Sequence, residues 1–152
     1  MKGCYLLLIK NYHERHLKIG KLGTILFKRG NYVYIGSAMG LHSTSLKHRL
    51  LRHIGSTYKK IQKKAHWHID YFLIAPQVRL IKILILPDLN NRMECILSNL
   101  ISTYASDCIV GFGSSDCNCK SHLYYFEFDD PIPLFHSYQR LINSKSEKPK
   151  IQ

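Results

Sequence analysis

Acidic side chains are scarce in this chain: 10 Asp and Glu stand against 22 Lys and Arg, a formal net charge of +12 at pH 7. An excess of that sign and size turns attention to a polyanionic partner, nucleic acid or an acidic membrane surface, although a solvated basic face would give the same count. Long apolar runs are missing as well. The stretch Cys4 to Ile9 is far shorter than a signal or membrane segment, and no small-residue cleavage site follows it. The expectation is a cytoplasmic protein with no membrane association and no obligate protein partner. The five cysteines are an odd number without a secretory signal, which fits a reducing compartment and argues against a disulfide scaffold. There is no repeat, no low-complexity tract and no base-reading motif, so no sequence specificity follows.

What is present suffices for one domain. A length of 152 residues with 45% hydrophobic content allows a single real core. The expected domain spans residues 1–143, and the polar, charged residues 144–152 are expected to form a disordered basic tail. Cys4 to Ile9 suits a buried strand, and Tyr32 to Ile35, bounded by Gly30 and Gly36, suits a second. Between them Leu17-Lys18-Ile19 and Thr24 to Phe27 flank Gly20 to Gly23, the pattern of an inserted hairpin within Lys10 to Arg29. Ser43, Thr44 and Ser45 are N-cap candidates for a helix in which Leu46, Leu50 and Ile54 recur at helical spacing, with Arg49 and His53 together on a neighbouring face. Alternation from Trp67 to Ile74 predicts a strand, as does Leu80 to Leu86, stopped by Pro87. Met93, Leu97, Leu100 and Tyr104 predict a second helix starting near Asn90 or Asn91. A loop at Gly111 to Lys120, a last strand at Leu123 to Phe128 and a short amphipathic segment after Pro131 and Pro133 complete the pattern.

Four features then stand in order: Gly3-Cys4-Tyr5, Tyr34-Ile35-Gly36, Arg49 with His53, and Glu94. This order resembles the GIY-YIG nuclease superfamily, in an uncharacterised prokaryotic branch suggested by Tyr-Ile-Gly-Ser-Ala, Arg-His-Ile, His-Trp-His-Ile-Asp-Tyr and Gly-Phe-Gly-Ser-Ser-Asp-Cys. The likeness runs from about Gly3 to about Phe128. Cys4 stands where the superfamily usually has isoleucine, the gap from Tyr5 to Tyr34 is long, and the superfamily's late asparagine has no match. The resemblance implies an α/β (α+β) fold, a small, mostly antiparallel sheet flanked by helices. It implies a metal-dependent endonuclease that hydrolyses DNA phosphodiesters, in repair or processing, leaving a 3′-hydroxyl and a 5′-phosphate. An inactive nucleic-acid-binding module on the same fold is the alternative.

Each chemical demand of that reaction finds a candidate. The attacking water must lose a proton, and charge on the phosphoryl oxygens and the leaving oxygen must be stabilised. Tyr5 is the first candidate for general base, with its pKa of about 10 lowered by nearby positive charge, and Tyr34 shares the proton network or orients the water. Arg49 offers a planar fork to the phosphate, and His53 could donate to it or accept the water's proton. Glu94 suits Mg²⁺ or Mn²⁺ as a hard oxygen ligand. It also suits a capping box if Asn91 is the N-cap. Lys47, Arg52, Lys59, Lys60, Lys63, Lys64 and His68 are candidate nucleic-acid contacts. On a strand, His66, His68 and Asp70 would share one face as metal ligands, as plain polar residues or as substrate contacts. Cys117, Cys119 and His122, with Cys108, could bind zinc, although reduced structural cysteines are the default.

Overall fold

The sheet is organised around β1 because its sequence is apolar on both faces. The computed structural model describes residues 1–60, 64–87, 90–127, 131, 133, 135–137 and 140. Its elements are β1 (Gly3–Asn11), β2 (Arg15–Lys18), β3 (Thr24–Phe27), β4 (Gly30–Ala38), α1 (Leu46–Ile54), α2 (His68–Leu73), β5 (Val78–Pro87), α3 (Asn91–Ser102), β6 (Asp107–Cys108) and β7 (Leu123–Phe126). Five strands form one antiparallel sheet in the order β5-β1-β4-β7-β6. Every residue of β1 except Lys10 is buried, as a central strand covered on both sides requires. This is the mixed α/β architecture expected from the sequence.

Strand periodicity sorts the core into two layers. On one face Tyr5, Leu7, Ile9, Tyr32 and Tyr34 pack with Leu46 and Leu50 of α1 and with Ile69, Phe72 and Leu73 of α2. On the other, Cys4, Leu6, Leu8, Val33 and Ile35 pack with Leu97 and Ile101 of α3 and with Phe135. The expected insertion is present: β2 and β3 form a separate two-stranded sheet. Its Phe27 stacks on Phe72, ring centroids 4.5 Å apart, which fastens the hairpin over α2.

The segment expected to be a strand at Trp67 to Ile74 is instead the short helix α2. Alternation over eight residues also places Ile69, Phe72 and Leu73 at helical spacing, and those three are the buried apolar ones. Asp70 decides between the two. Its Oδ2 accepts the backbone N–H groups of His66 at 2.9 Å and Trp67 at 3.1 Å, which covers donors left free at the helix start. Arg52 of α1 closes on the same carboxylate, Nη2 to Oδ2 at 2.9 Å and Nε to Oδ1 at 3.3 Å. The metal-ligand face drawn through His66, His68 and Asp70 therefore does not form.

Two smaller departures concern α3 and β6. Leu100 and Tyr104 are exposed, because the buried side of α3 runs through Leu97, Ser98 and Ile101. Strand β6, two residues long, carries too little pattern to be predicted. Lys63, Phe128, the segment after Pro133 in large part and residues 144–152 lie outside the described residues.

Asp70→Ala should lower stability by roughly 3 kcal/mol, because it leaves Arg52 uncompensated and two backbone donors without an acceptor. For a domain of this size the melting temperature should fall by about 10 °C. Arg52→Ala should cost less, since the carboxylate keeps its backbone donors. Calorimetry on the two variants checks the order, and an unchanged melting temperature for Asp70→Ala would remove this account of α2.

Candidate active site

The β1–β4 register places Tyr5 opposite Gly36 and Leu7 opposite Tyr34. The ring of Tyr5 lies across residue 36, where a Cβ would stand 2.8 Å from Cε2 of the tyrosine, so only glycine admits it there. Beyond the ring, Tyr5 Oη lies 2.9 Å from Nε2 of His53. Both side chains are fully enclosed, and Nδ1 of His53 has no partner among the described residues. Burial lowers the pKa of His53 to about 4, with Arg49 and Arg52 pushing the same way and Asp70 opposing, so its imidazole is neutral near pH 7. Burial also raises Tyr5 well above the ordinary tyrosine value; Tyr34 adds to the rise and Arg49 opposes it. That direction is opposite to the one expected of a general base.

Arg49 lies one turn before His53 on α1, so the helix presents both toward the sheet. Its Nη1 donates to the carbonyl of Ser37. Its guanidinium carbon sits 4.4 Å from the ring centre of Trp67, and that of Arg52 sits 5.1 Å from the same centre. The indole, the only one in the chain, thus holds two cations against their mutual repulsion. Tyr34 is 7% exposed and its ring centre is 6.4 Å from that of Tyr5. Burial raises its pKa; Glu94 adds to the rise and Arg49 opposes it.

Glu94 reaches the same end of the sheet from the opposite face. The ladder between β4 and β7 stops at Tyr34, with one further bond from Ile35 N–H to the His122 carbonyl at 3.0 Å. At Ser37, beyond that limit, the serine hydroxyl donates to Glu94 Oε2. The other carboxylate oxygen, Oε1, is 3.0 Å from Nδ1 of His122, off the straight line of a hydrogen bond. The N-cap of α3 is Asn90, whose side chain accepts from Arg92 N–H at 3.1 Å. Glu94 is therefore one position past N3, and the capping-box reading fails. Tyr5, Tyr34, Arg49, His53 and Glu94, drawn from four elements, converge here.

The candidate nucleic-acid contacts divide. Lys47, Lys59 and Lys64 are exposed. Arg52 is committed to Asp70 and to the Lys64 carbonyl. Lys60 Nζ donates to the carbonyls of Leu73, Ala75 and Val78 at 2.7–3.0 Å, and burial brings its pKa down to about 8. His68 Nδ1 accepts from Gly113 N–H at 3.0 Å. These three serve packing in this arrangement, whereas the exposed lysines are available to phosphate.

Four contributors escaped the sequence reading. Gly36 and Ser37 belong to Tyr-Ile-Gly-Ser-Ala and Trp67 to His-Trp-His, so their motifs were visible while their contacts were not. The fourth is Cys95. Ligand atoms of Cys95, Cys117, Cys119 and His122 all lie within 4.8 Å of one another, a group that could hold a metal ion. Cys108 is not in it: it sits on β6, packed against the sheet face that carries α3.

Fold and site define a small α/β protein with a polar cluster at the open end of an antiparallel sheet. Residues 4–143 match the family described as Domain of unknown function DUF123, and the chain belongs to that family. No curated protein and no solved structure matches it. Among the described residues no helix is long and apolar enough to cross a membrane.

Two predictions follow from the Tyr5 environment. Gly36→Ala should cost roughly 2 kcal/mol, because an enclosed ring has nowhere to retreat, and denaturant melts read the loss directly. For His53, the unfolded pKa of about 6.5 lies above the folded one, so the unfolded chain takes up a proton first as pH falls. Stability should decline from about pH 6.5 towards about pH 4. His53→Gln keeps an amide beside Tyr5 but does not titrate, so its stability should fall less over that interval. Parallel pH curves for the two proteins would contradict the buried neutral imidazole.

Proposed function

We propose that the chain is a metal-dependent endonuclease that hydrolyses DNA phosphodiesters. The observation that carries this reading is the convergence of Tyr5, Tyr34, Arg49, His53 and Glu94 at one end of the sheet. The resemblance to GIY-YIG nucleases gives the same five residues their roles. The +12 net charge supports a nucleic-acid partner, and the exposed Lys47, Lys59 and Lys64 supply phosphate contacts.

Glu94, with its side chain 17% exposed beside the Ser37 hydroxyl, fits one ligand of a Mg²⁺ or Mn²⁺ ion that keeps several waters and takes phosphate oxygens. Such an ion would polarise a phosphoryl oxygen and ease deprotonation of a water. The rest falls to the chain. Arg49 meets the phosphate with a permanently charged fork oriented by Trp67 and the Ser37 carbonyl. Tyr34, nearer the surface, orients the water. Tyr5 accepts its proton while passing its own to Nε2 of His53, so no free phenolate has to form in a buried site. This hand-off requires the His53 tautomer with its proton on Nδ1.

The complete enclosure of Tyr5 favours a second reading, a module that binds nucleic acid on the same fold without cutting it. Labelled duplex, branched and single-stranded DNA and RNA, incubated with Mg²⁺ or Mn²⁺, separate the two. Under the nuclease reading Tyr5→Phe should cut on the order of a hundredfold more slowly, with a stability loss of roughly 1–3 kcal/mol because Nε2 of the enclosed His53 loses its partner. Arg49→Lys should also cut slowly while still binding DNA. Glu94→Gln should abolish cleavage with DNA affinity nearly intact. The Tyr5→Phe/Arg49→Lys double variant should lose much less than the product of the single losses, as both act on one step. Full activity in both single variants would remove this site, and salt-dependent binding without cleavage on every substrate would leave the binding module.

A further inference from the structure

We propose that Cys95, Cys117, Cys119 and His122 bind a structural Zn²⁺ ion that clamps the 113–121 loop to α3. Three thiol sulfurs and an imidazole nitrogen are a donor set zinc favours, and four protein ligands make a closed site. In a tetrahedral zinc centre with Zn–S near 2.3 Å, sulfurs stand roughly 3.8 Å apart. The four donors already lie within 4.8 Å of one another, so small side-chain adjustments complete the coordination.

The imidazole is oriented for this task. His122 Nε2 is 3.5 Å from the sulfur of Cys117, while Nδ1 faces the carboxylate of Glu94 at 3.0 Å. Metal-binding histidines commonly have the second ring nitrogen set against a carboxylate, which fixes the ring and raises its basicity. His122 is 2% exposed, and its backbone N–H bonds to the Phe112 carbonyl at 2.8 Å, so the ring is fixed by the fold.

The loop itself calls for a clamp. Residues Gly113 to Ser121 read Gly-Ser-Ser-Asp-Cys-Asn-Cys-Lys-Ser, without one aliphatic or aromatic side chain. Such a segment cannot bury enough apolar surface to offset the entropy of ordering it. Yet Gly113 is ordered against Tyr34, where a Cβ would stand 3.1 Å from Cε2, and its N–H is bonded to His68. A metal joining Cys117 and Cys119 to Cys95 on α3 supplies the missing constraint. Because His122 faces Glu94, the zinc would also steady that carboxylate; this coupling rests on the nuclease reading, whereas the zinc site does not.

The test uses the full chain, reduced and reconstituted with Zn²⁺ or with Co²⁺ in its place. Metal analysis should find roughly one Zn²⁺ per chain, and the cobalt form should show tetrahedral ligand-field bands with thiolate-to-metal charge transfer. Cys119→Ser should weaken zinc binding by on the order of a hundredfold, while Cys108→Ser, outside the group, should change nothing. If Cys119→Ser fails to fold, Cys119→His, which keeps four donors, should still bind cobalt tetrahedrally. Glu94→Gln should keep the tetrahedral spectrum with affinity lowered roughly tenfold. A six-coordinate cobalt spectrum, bound iron in place of zinc, a Cys117–Cys119 disulfide that forms in preference to metal uptake, or zinc retained equally by Cys119→Ser would overturn the proposal. Zinc bound as expected by a protein that cuts no nucleic acid would remove only the proposed chemistry.

Discussion

The antiparallel pairing of β1 with β4 is the constraint on which the rest of the structure depends. It sets Tyr5 over Gly36, and it puts odd residues of β1 on the face that meets α1 and even residues on the face that meets α3. A slip of one residue would exchange the faces, sending Tyr5 toward α3 and away from His53. The extra residue in β5, where the register shifts between Leu8 and Ile9, is absorbed at the outer side of β1 and leaves the β4 side regular. The site therefore inherits its precision from backbone pairing.

A second consequence concerns charge. In a chain with 22 cationic and 10 acidic side chains, each buried carboxylate matters more than its number suggests. Asp70 draws Arg52 out of competition for the site, and Glu94 brings negative charge to the open end of β4, where Arg49 bonds the Ser37 carbonyl. Trp67 lies between these two arrangements, with one guanidinium over its ring for structure and another for the candidate chemistry.

The parts legible in the sequence are those where pattern and environment are local. β1, β4, the inserted hairpin and α1 declare themselves through apolar runs, glycine boundaries and a serine cap, and Ser45 does accept from His48 N–H. Helix α2 was unreadable because eight residues fit both periods, and the deciding contact, Arg52 with Asp70, spans 18 positions. The start of α3 turned on whether Asn90 or Asn91 caps it, a difference of one residue that changes the role open to Glu94. Cys95 was missed because it is a single cysteine on a helix, and the loop that turns toward it follows no periodic rule.

The hand-off from Tyr5 to His53 raises a question of proton affinity. Even with its ordinary pKa of about 10, a tyrosine is phenolate in roughly one part per thousand at pH 7, and burial at Tyr5 reduces that further. A concerted transfer avoids the phenolate but ends on an imidazole whose pKa is about 4, a poor resting place for a proton. Among the causes of that low value are the charges of Arg49 and Arg52, after burial itself. A phosphodiester bound at Arg49 would offset part of this positive potential, and each unit of pKa it restores to His53 is worth about 1.4 kcal/mol to the transfer. On the proposed reading, then, the substrate's own charge cancels the part of the shift that Arg49 contributes, while burial, the larger cause, and Asp70, which opposes both arginines, set the rest of the proton affinity of His53.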